Sequence, residues 1–379
     1  NNFCIAIPSN EGRCTQCHPG YGYKDKNFDF ADASQLDCLI CHDTTGTYKK
    51  DPKTAGMPSP TVDLTMVAAN VGDPSRANCG ACHFFAGGGD NVKRGDLGSA
   101  LLTPAMDADV HMGSVATGGK DMSCQECHVT TQHQIPGNQL QDRGDVSCDT
   151  AGCHSNFQMT GSHTSAHIAA IACQACHIKE FSRQMPTKTY WDWSTAGDKE
   201  RTPVLDANGM PDYNVMKGDF VWEKNVTPEL RWYNGKWNRM FIGENDKYTS
   251  TPVQLAQPLG AKGDGKLFPF KAMKGIQAAD ANNQTVLIPH LFGSAGGPNP
   301  YWAKYDWNLA FEDGAAYTGQ VYTGQFDWVE TIMYLPINHE VSPKSAARTC
   351  SDCHNGGIDL WSLGYTHDPM TGADLDPNK

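Results

Sequence analysis

A mostly α and irregular chain with an insertion of short strands is what this sequence predicts, on three observations. A Cys-x-x-Cys-His unit recurs along most of its length. Gly (38) and Pro (22) are plentiful, which favours turns over long regular elements, and apolar residues make up only 39% of 379. One long stretch, 181–345, has no such unit and is rich in aromatics and turn signals.

The recurring unit comes first because the rest is built around it. It stands at Cys14/Cys17-His18, Cys38/Cys41-His42, Cys79/Cys82-His83, Cys124/Cys127-His128, Cys173/Cys176-His177 and Cys350/Cys353-His354. A stretched version, Cys148/Cys153-His154, has four intervening residues and keeps the terminal Cys-His. This is the attachment signal for c-type haem: two thiols bond the porphyrin edge and the histidine ligates iron. Zinc would need four N/S ligands at each site, and thioredoxin-like pairs need no following histidine. The seven sites take 14 of the 15 cysteines and leave Cys4. The fold class is therefore a haem-cored multihaem cytochrome c with a haem-free insertion of short strands. Its porphyrins supply the apolar volume that the side chains lack.

Spacing divides the chain into a haem-rich region with six sites (1–180), a haem-free aromatic-rich region (181–345) and a C-terminal haem-binding segment (346–379). In the first region, Ser162–Ile171 has the Ala/Ile content of a helix running into Cys173. In the second, Tyr190-Trp191-Asp192-Trp193 and Arg231-Trp232-Tyr233 alternate with turns at Asn208-Gly209, Asn234-Gly235 and Gly263-Asp264-Gly265, which predicts hairpins. Segment 328–338 (WVETIMYLPIN) is equally a helix or a strand ending at Pro336.

Seven histidines lie outside the motifs: His111, His133, His163, His167, His290, His339 and His367. That number nearly matches the seven sites and points to bis-His haem irons. His163 and His167, at i and i+4, face one way on a helix and suit two haems or a zinc pair. Lys93 sits in the glycine-rich run Gly87–Asp96. A neutral lysine amine can bind iron; a solvated loop lysine, with Asp90 and Arg94 as mixed-charge neighbours, is the plainer alternative. Cys4 is a buried thiol, a partner for a cysteine outside this sequence, or a reactive thiol.

The net charge of −12 and pI near 5.5 exclude a nucleic-acid binder and fit basic redox partner proteins. No run of 18 apolar residues predicts a transmembrane helix. The abrupt start at Asn1-Asn2-Phe3-Cys4 reads as a mature or N-terminally incomplete protein. Haem c is attached outside the cytoplasm, so the expected location is periplasmic or extracellular.

Several segments together resemble the octahaem tetrathionate reductases. They are Asn2-Phe3-Cys4-Ile5-Ala6, Cys14 to Gly22, Cys38 to Gly46, Cys79 to Phe85, the Lys93 loop and Leu335-Pro336-Ile337-Asn338-His339. The resemblance implies a periplasmic reductase in which one active haem carries a distal lysine with a cysteine nearby. It implies a small inorganic anion as substrate, tetrathionate or nitrite, and also reduction of the neutral molecule hydroxylamine. Carried over, the active haem is that of Cys14/Cys17/His18, Lys93 is its distal ligand and Cys4 the pocket thiol. Asp90 is the expected proton source. Seven haems are accounted for; an eighth is expected if an N-terminal segment is missing. The rival expectation is an electron conduit or extracellular filament subunit, a homo-oligomer that turns nothing over.

Overall fold

Residues 187–336 build the dominant element, a nine-stranded mixed sheet; the other described residues form a small two-stranded hairpin, short helices, turns and loops. The computed structural model describes residues 15, 17–18, 20–22, 27–137, 146–150, 152–155, 164–241, 247–293 and 296–378.

The haem-rich half begins with α1 (Leu39–His42) and a hairpin of β1 (Lys50–Asp51) and β2 (Met57–Pro58). Then come α2 (Leu64–Ala69), α3 (Arg76–His83), α4 (Cys124–Cys127), α5 (Thr164–Ala170) and α6 (Cys173–His177). Helices α1, α3, α4 and α6 are brief because each is built on a Cys-x-x-Cys-His unit, itself about one turn. Two are started by capping boxes: Ser75 with Asn78 for α3, and Ser123 with Glu126 for α4.

The sheet comprises β3 (Thr187–Asp192), β4 (Tyr213–Asn214), β5 (Gly218–Glu223), β6 (Glu229–Tyr233), β7 (Trp237–Arg239), β8 (Val253–Pro258), β9 (Lys266–Asp280), β10 (Thr285–Val286) and β11 (Phe326–Pro336). Its main order is β4-β5-β3-β9-β11-β8-β7, with β6 and β10 also on β9. Helices α7 (Tyr301–Lys304) and α8 (Trp307–Thr318) pack on one face.

Two expectations are corrected here. The chain is not mostly α, and the strands are not all short: β9 has 15 residues and β11 has 11, paired antiparallel from Phe326↔Asp280 to Pro336↔Phe270. The undecided segment 328–338 is strand up to Pro336. Its pattern misled because both faces are buried. Met333 and Leu335 join one core cluster with Trp191, Trp193 and Phe220; Ile332 and Tyr334 join another with Phe270. A strand covered on both sides reads as a continuous apolar run, which carries no period. The turn signals at Asn234-Gly235 and Gly263-Asp264-Gly265 do connect strands, with Gly235 at φ 85 and Gly265 at φ 100.

The sheet positions the haem-rich half by its edges and ends. Ala172 N, between α5 and α6, donates to Leu267 O of β9 at 3.0 Å. Beyond β11, Ile337 N donates to Pro269 O at 3.0 Å, and the next two residues deliver His339. Among the described residues no helix is long and apolar enough to cross a membrane.

Candidate metal centres

Four motif histidines each face a second imidazole at nearly one distance. Ring centroids are 6.3 Å apart for His42/His133, 6.1 Å for His154/His111, 6.3 Å for His128/His339 and 6.2 Å for His354/His167. An iron held by two imidazole nitrogens at about 2.0–2.1 Å each, the usual metal–histidine distance, puts the centroids roughly 6.3 Å apart. Two hydrogen-bonded or stacked rings have no reason to repeat that value four times. The donor set thus fits c-type haem held between paired imidazoles, including at the stretched site of His154. Each pair joins one motif histidine to one of the histidines outside the motifs.

The second ring nitrogen is engaged in a way that leaves Nε2 for metal. Nδ1 of His42 is 2.8 Å from Gly72 O, that of His128 2.9 Å from Pro136 O, and that of His177 3.4 Å from Ser342 O. Two others meet carboxylates: His354 with Asp368 at 2.7 Å and His339 with Asp96 at 3.1 Å. Asp109 stands 4.0 Å from Nδ1 of His111 and accepts that residue's backbone N–H at 2.8 Å. Asp96 is fully buried; burial works to raise its pKa, but the His339 hydrogen bond and the Arg94 charge hold it down to about 2. Asp368 is likewise a carboxylate, held at about 2 against burial by backbone N–H groups and His354.

The thiols trace a path between sites. Cys17 and Cys82 are in hydrogen-bond reach, as are Cys79 and Cys124, and Cys148 and Cys173. Cys127 lies near Cys153, and Cys176 near Cys353. The attachment sites therefore adjoin from His18 through His83, His128, His154 and His177 to His354, with Cys41 beside Cys79 and Cys82. None of the thirteen described cysteines is in a disulfide, so their sulfurs are available for thioether bonds.

Lys93 is half-buried in a loop folded tightly on itself. Gly87, at φ 93, packs against the lysine stem, where any Cβ would collide with that of Lys93. The two preceding residues are clamped to the sheet. Thr187 Oγ1 donates to Asn91 O at 2.6 Å, and the buried Lys271 donates to Val92 O at 2.8 Å and to Thr187 Oγ1 at 2.5 Å. Burial pushes the Lys271 pKa well below the usual lysine value. Cys17, against α3, and Lys50, which donates to His18 O at 3.0 Å, seat the His18 motif between the hairpin and that helix.

Other expected residues fare differently. His290 is not one of the paired rings: it is buried in the sheet region, with Nδ1 3.1 Å from Asp313 and Nε2 3.1 Å from Phe292 O, so neither nitrogen is left for iron. His367 is exposed, its Nδ1 3.1 Å from Thr366 Oγ1; the neighbouring Asp368 is the residue that serves a haem ligand. Both Asp90 oxygens accept from Ser99, from its N–H at 2.9 Å and from its hydroxyl, which braces the loop. Cys4, Cys14 and His163 lie outside the described residues. Sequence reasoning missed Asp96, Asp109, Asp368, Thr187 and Lys271, whose partners are mostly distant in the chain.

Comparison with known proteins agrees with this geometry. A family model described as bacterial cytochrome c matches residues 188–357. An uncharacterised protein of Archaeoglobus fulgidus is 28% identical over 148 residues, which are 34% of this chain and 47% of that protein; the chain spans about half the length of this curated relative. The crystal structure of an octaheme cytochrome c from Shewanella oneidensis is 43% identical with a TM-score of 0.84, covering 98% of this chain and 84% of that one. At that identity over nearly its whole length, the chain belongs to the octahaem family of multihaem c-type cytochromes.

Proposed function

We propose that this cytochrome is a reductase in which a line of bis-His sites feeds one lysine-ligated site, at His18, where a small inorganic anion is reduced. The observation that carries it is the difference between the loops. Four sites are closed by paired imidazoles, whereas Lys93 stands on a loop whose Asn91 N donates to Phe84 O, just past α3, and which Thr187 and Lys271 clamp. Bound haem supplies one-electron chemistry at iron. Paired imidazoles close four sites, and in this reading Lys93 would be the displaceable ligand of the His18 site. In tetrathionate the central S–S bond breaks as two electrons enter, giving two thiosulfate ions with no proton taken up. Lys93 and Arg94 supply local positive charge within an acidic molecule. Cys4, by resemblance, is the thiol beside this site. The place of action is periplasmic or extracellular, with a redox protein as electron donor.

The test is turnover by the purified holoprotein with reduced viologen dye and tetrathionate, nitrite or hydroxylamine in turn. Wild type is expected to turn over at least one, and Lys93→Ala to change that rate more than tenfold. Dye oxidation by wild type with none of the three would favour the electron-conduit reading. An unchanged rate in Lys93→Ala would remove the lysine from the mechanism.

A further inference from the structure

The loop that carries Lys93 also holds a ligand of a second site. Three residues on, Asp96 Oδ2 accepts from Nδ1 of His339 at 3.1 Å and from the backbone N–H groups of Asn338 and His339 at 2.7 and 3.0 Å. Arg94, between the two, places Nε 3.7 Å from Asp96 Oδ1 and donates Nη2 to Pro336 O at 3.1 Å. Asp96 has no solvent exposure. Four consecutive residues thus span from the lysine to the ring of His339, the distal partner of His128.

A carboxylate that accepts from Nδ1–H pushes electron density into the imidazole and makes it a stronger donor, which favours ferric iron and lowers the potential. Backbone carbonyls, as at His42 and His128, do this less. We propose that Asp96 is a positioning residue shared by two haem sites. It holds His339 as a strongly donating ligand of the His128 site and fixes the loop that presents Lys93. The potential of the first and the ligation of the second then move together. The second half rests on the Lys93 assignment above.

The ring geometry supplies a readout. The planes are 25° apart in His128/His339 and 24° in His354/His167, but 72° in His42/His133 and 70° in His154/His111. Near-parallel and near-perpendicular axial rings give ferric low-spin haem distinct EPR envelopes, rhombic for the former and strongly anisotropic for the latter. Both carboxylate-backed sites fall in the rhombic class.

The experiment is an EPR-monitored redox titration of the holoprotein. In Asp96→Asn, the rhombic component of the His128/His339 site is expected to titrate upward by about tenfold in its reduction equilibrium, and the amine–imidazole signature of the Lys93 site to weaken. Asp368→Asn is expected to move the component of the His354/His167 site and leave that signature alone. Arg94→Gln, which keeps the carboxylate and removes its countercharge, is expected to move the His128/His339 component downward; this opposite sign serves if Asp96→Asn does not fold. A rhombic envelope that titrates as in wild type in both Asp96→Asn and Arg94→Gln overturns the role of Asp96. A shifted envelope with an intact amine signature overturns the coupling. If Lys93→Ala itself leaves the signature in place, the lysine assignment fails, and the His339 half stands on its own titration.

Discussion

Asp368 Oδ1 accepts the Nδ1 proton of His354 at 2.7 Å, while its other oxygen accepts the N–H of Asn355 at 2.9 Å. One buried carboxylate therefore orients the last attachment histidine and closes the turn that follows it. Replacing it by Asn keeps the shape and removes the charge. The expected result is a rise of about 59 mV, the one-electron equivalent of a tenfold change, in one rhombic haem, read by potentiometry with EPR detection. An unmoved potential would leave Asp368 with the turn alone.

Arg183 links the two loops that carry distal ligands. Its Nη1 donates to Asp107 O at 2.5 Å and to Ser342 Oγ at 2.9 Å, and its Nη2 donates to Ala108 O and Glu340 O. A lysine cannot satisfy this fork. Arg183→Lys should destabilise the holoprotein by about 1–3 kcal/mol in denaturant unfolding. It should also raise high-spin absorption from the His111 and His339 sites together. Loss of only one would show that the loops are held separately.

His290 gives a contrasting case. His290→Leu should lower stability by about 1–3 kcal/mol, because the imidazole N–H that serves Asp313 or Phe292 O is lost inside the fold. The integrated low-spin EPR intensity should not change. A new high-spin haem in this variant would return His290 to the axial ligands.

Asp280 predicts a pH effect. Burial works to raise its pKa, but hydrogen bonds from Thr323 N–H (2.7 Å), Thr323 Oγ1 (2.9 Å), Asn283 N–H (2.8 Å) and Asn282 N–H (3.0 Å) outweigh it and hold the pKa below the usual carboxylate value. A depressed folded-state pKa adds stability above the unfolded value of 3.8, and that stability is lost as pH falls through the lower folded value. Asp280→Asn should thus be less stable than wild type near neutral pH, and the gap should close below pH 3.8. A gap independent of pH would assign the loss to shape rather than charge.

The cofactor class was legible in the sequence because covalent attachment is local: two thiols and a histidine lie within a few residues of one another. The count of remaining histidines likewise pointed to paired ligands. Which histidine meets which could not be read, since the partners of His154 and His128 come from 43 residues before and 211 residues after them. His290 was misassigned because a count sees residue type and not the acceptors around a ring. Strand β11 stayed ambiguous because a doubly covered strand shows no alternation.

By itself the sequence determined the cofactor class and an acidic composition and proposed the covalent anchors, each from residue identity and short spacing. Tertiary structure alone decided the ring pairs, the carboxylates behind His339 and His354, and the clamp of Thr187 and Lys271 on the Lys93 loop. These depend on how a long, doubly buried sheet brings distant segments within hydrogen-bond reach, and such contacts leave no period in the chain.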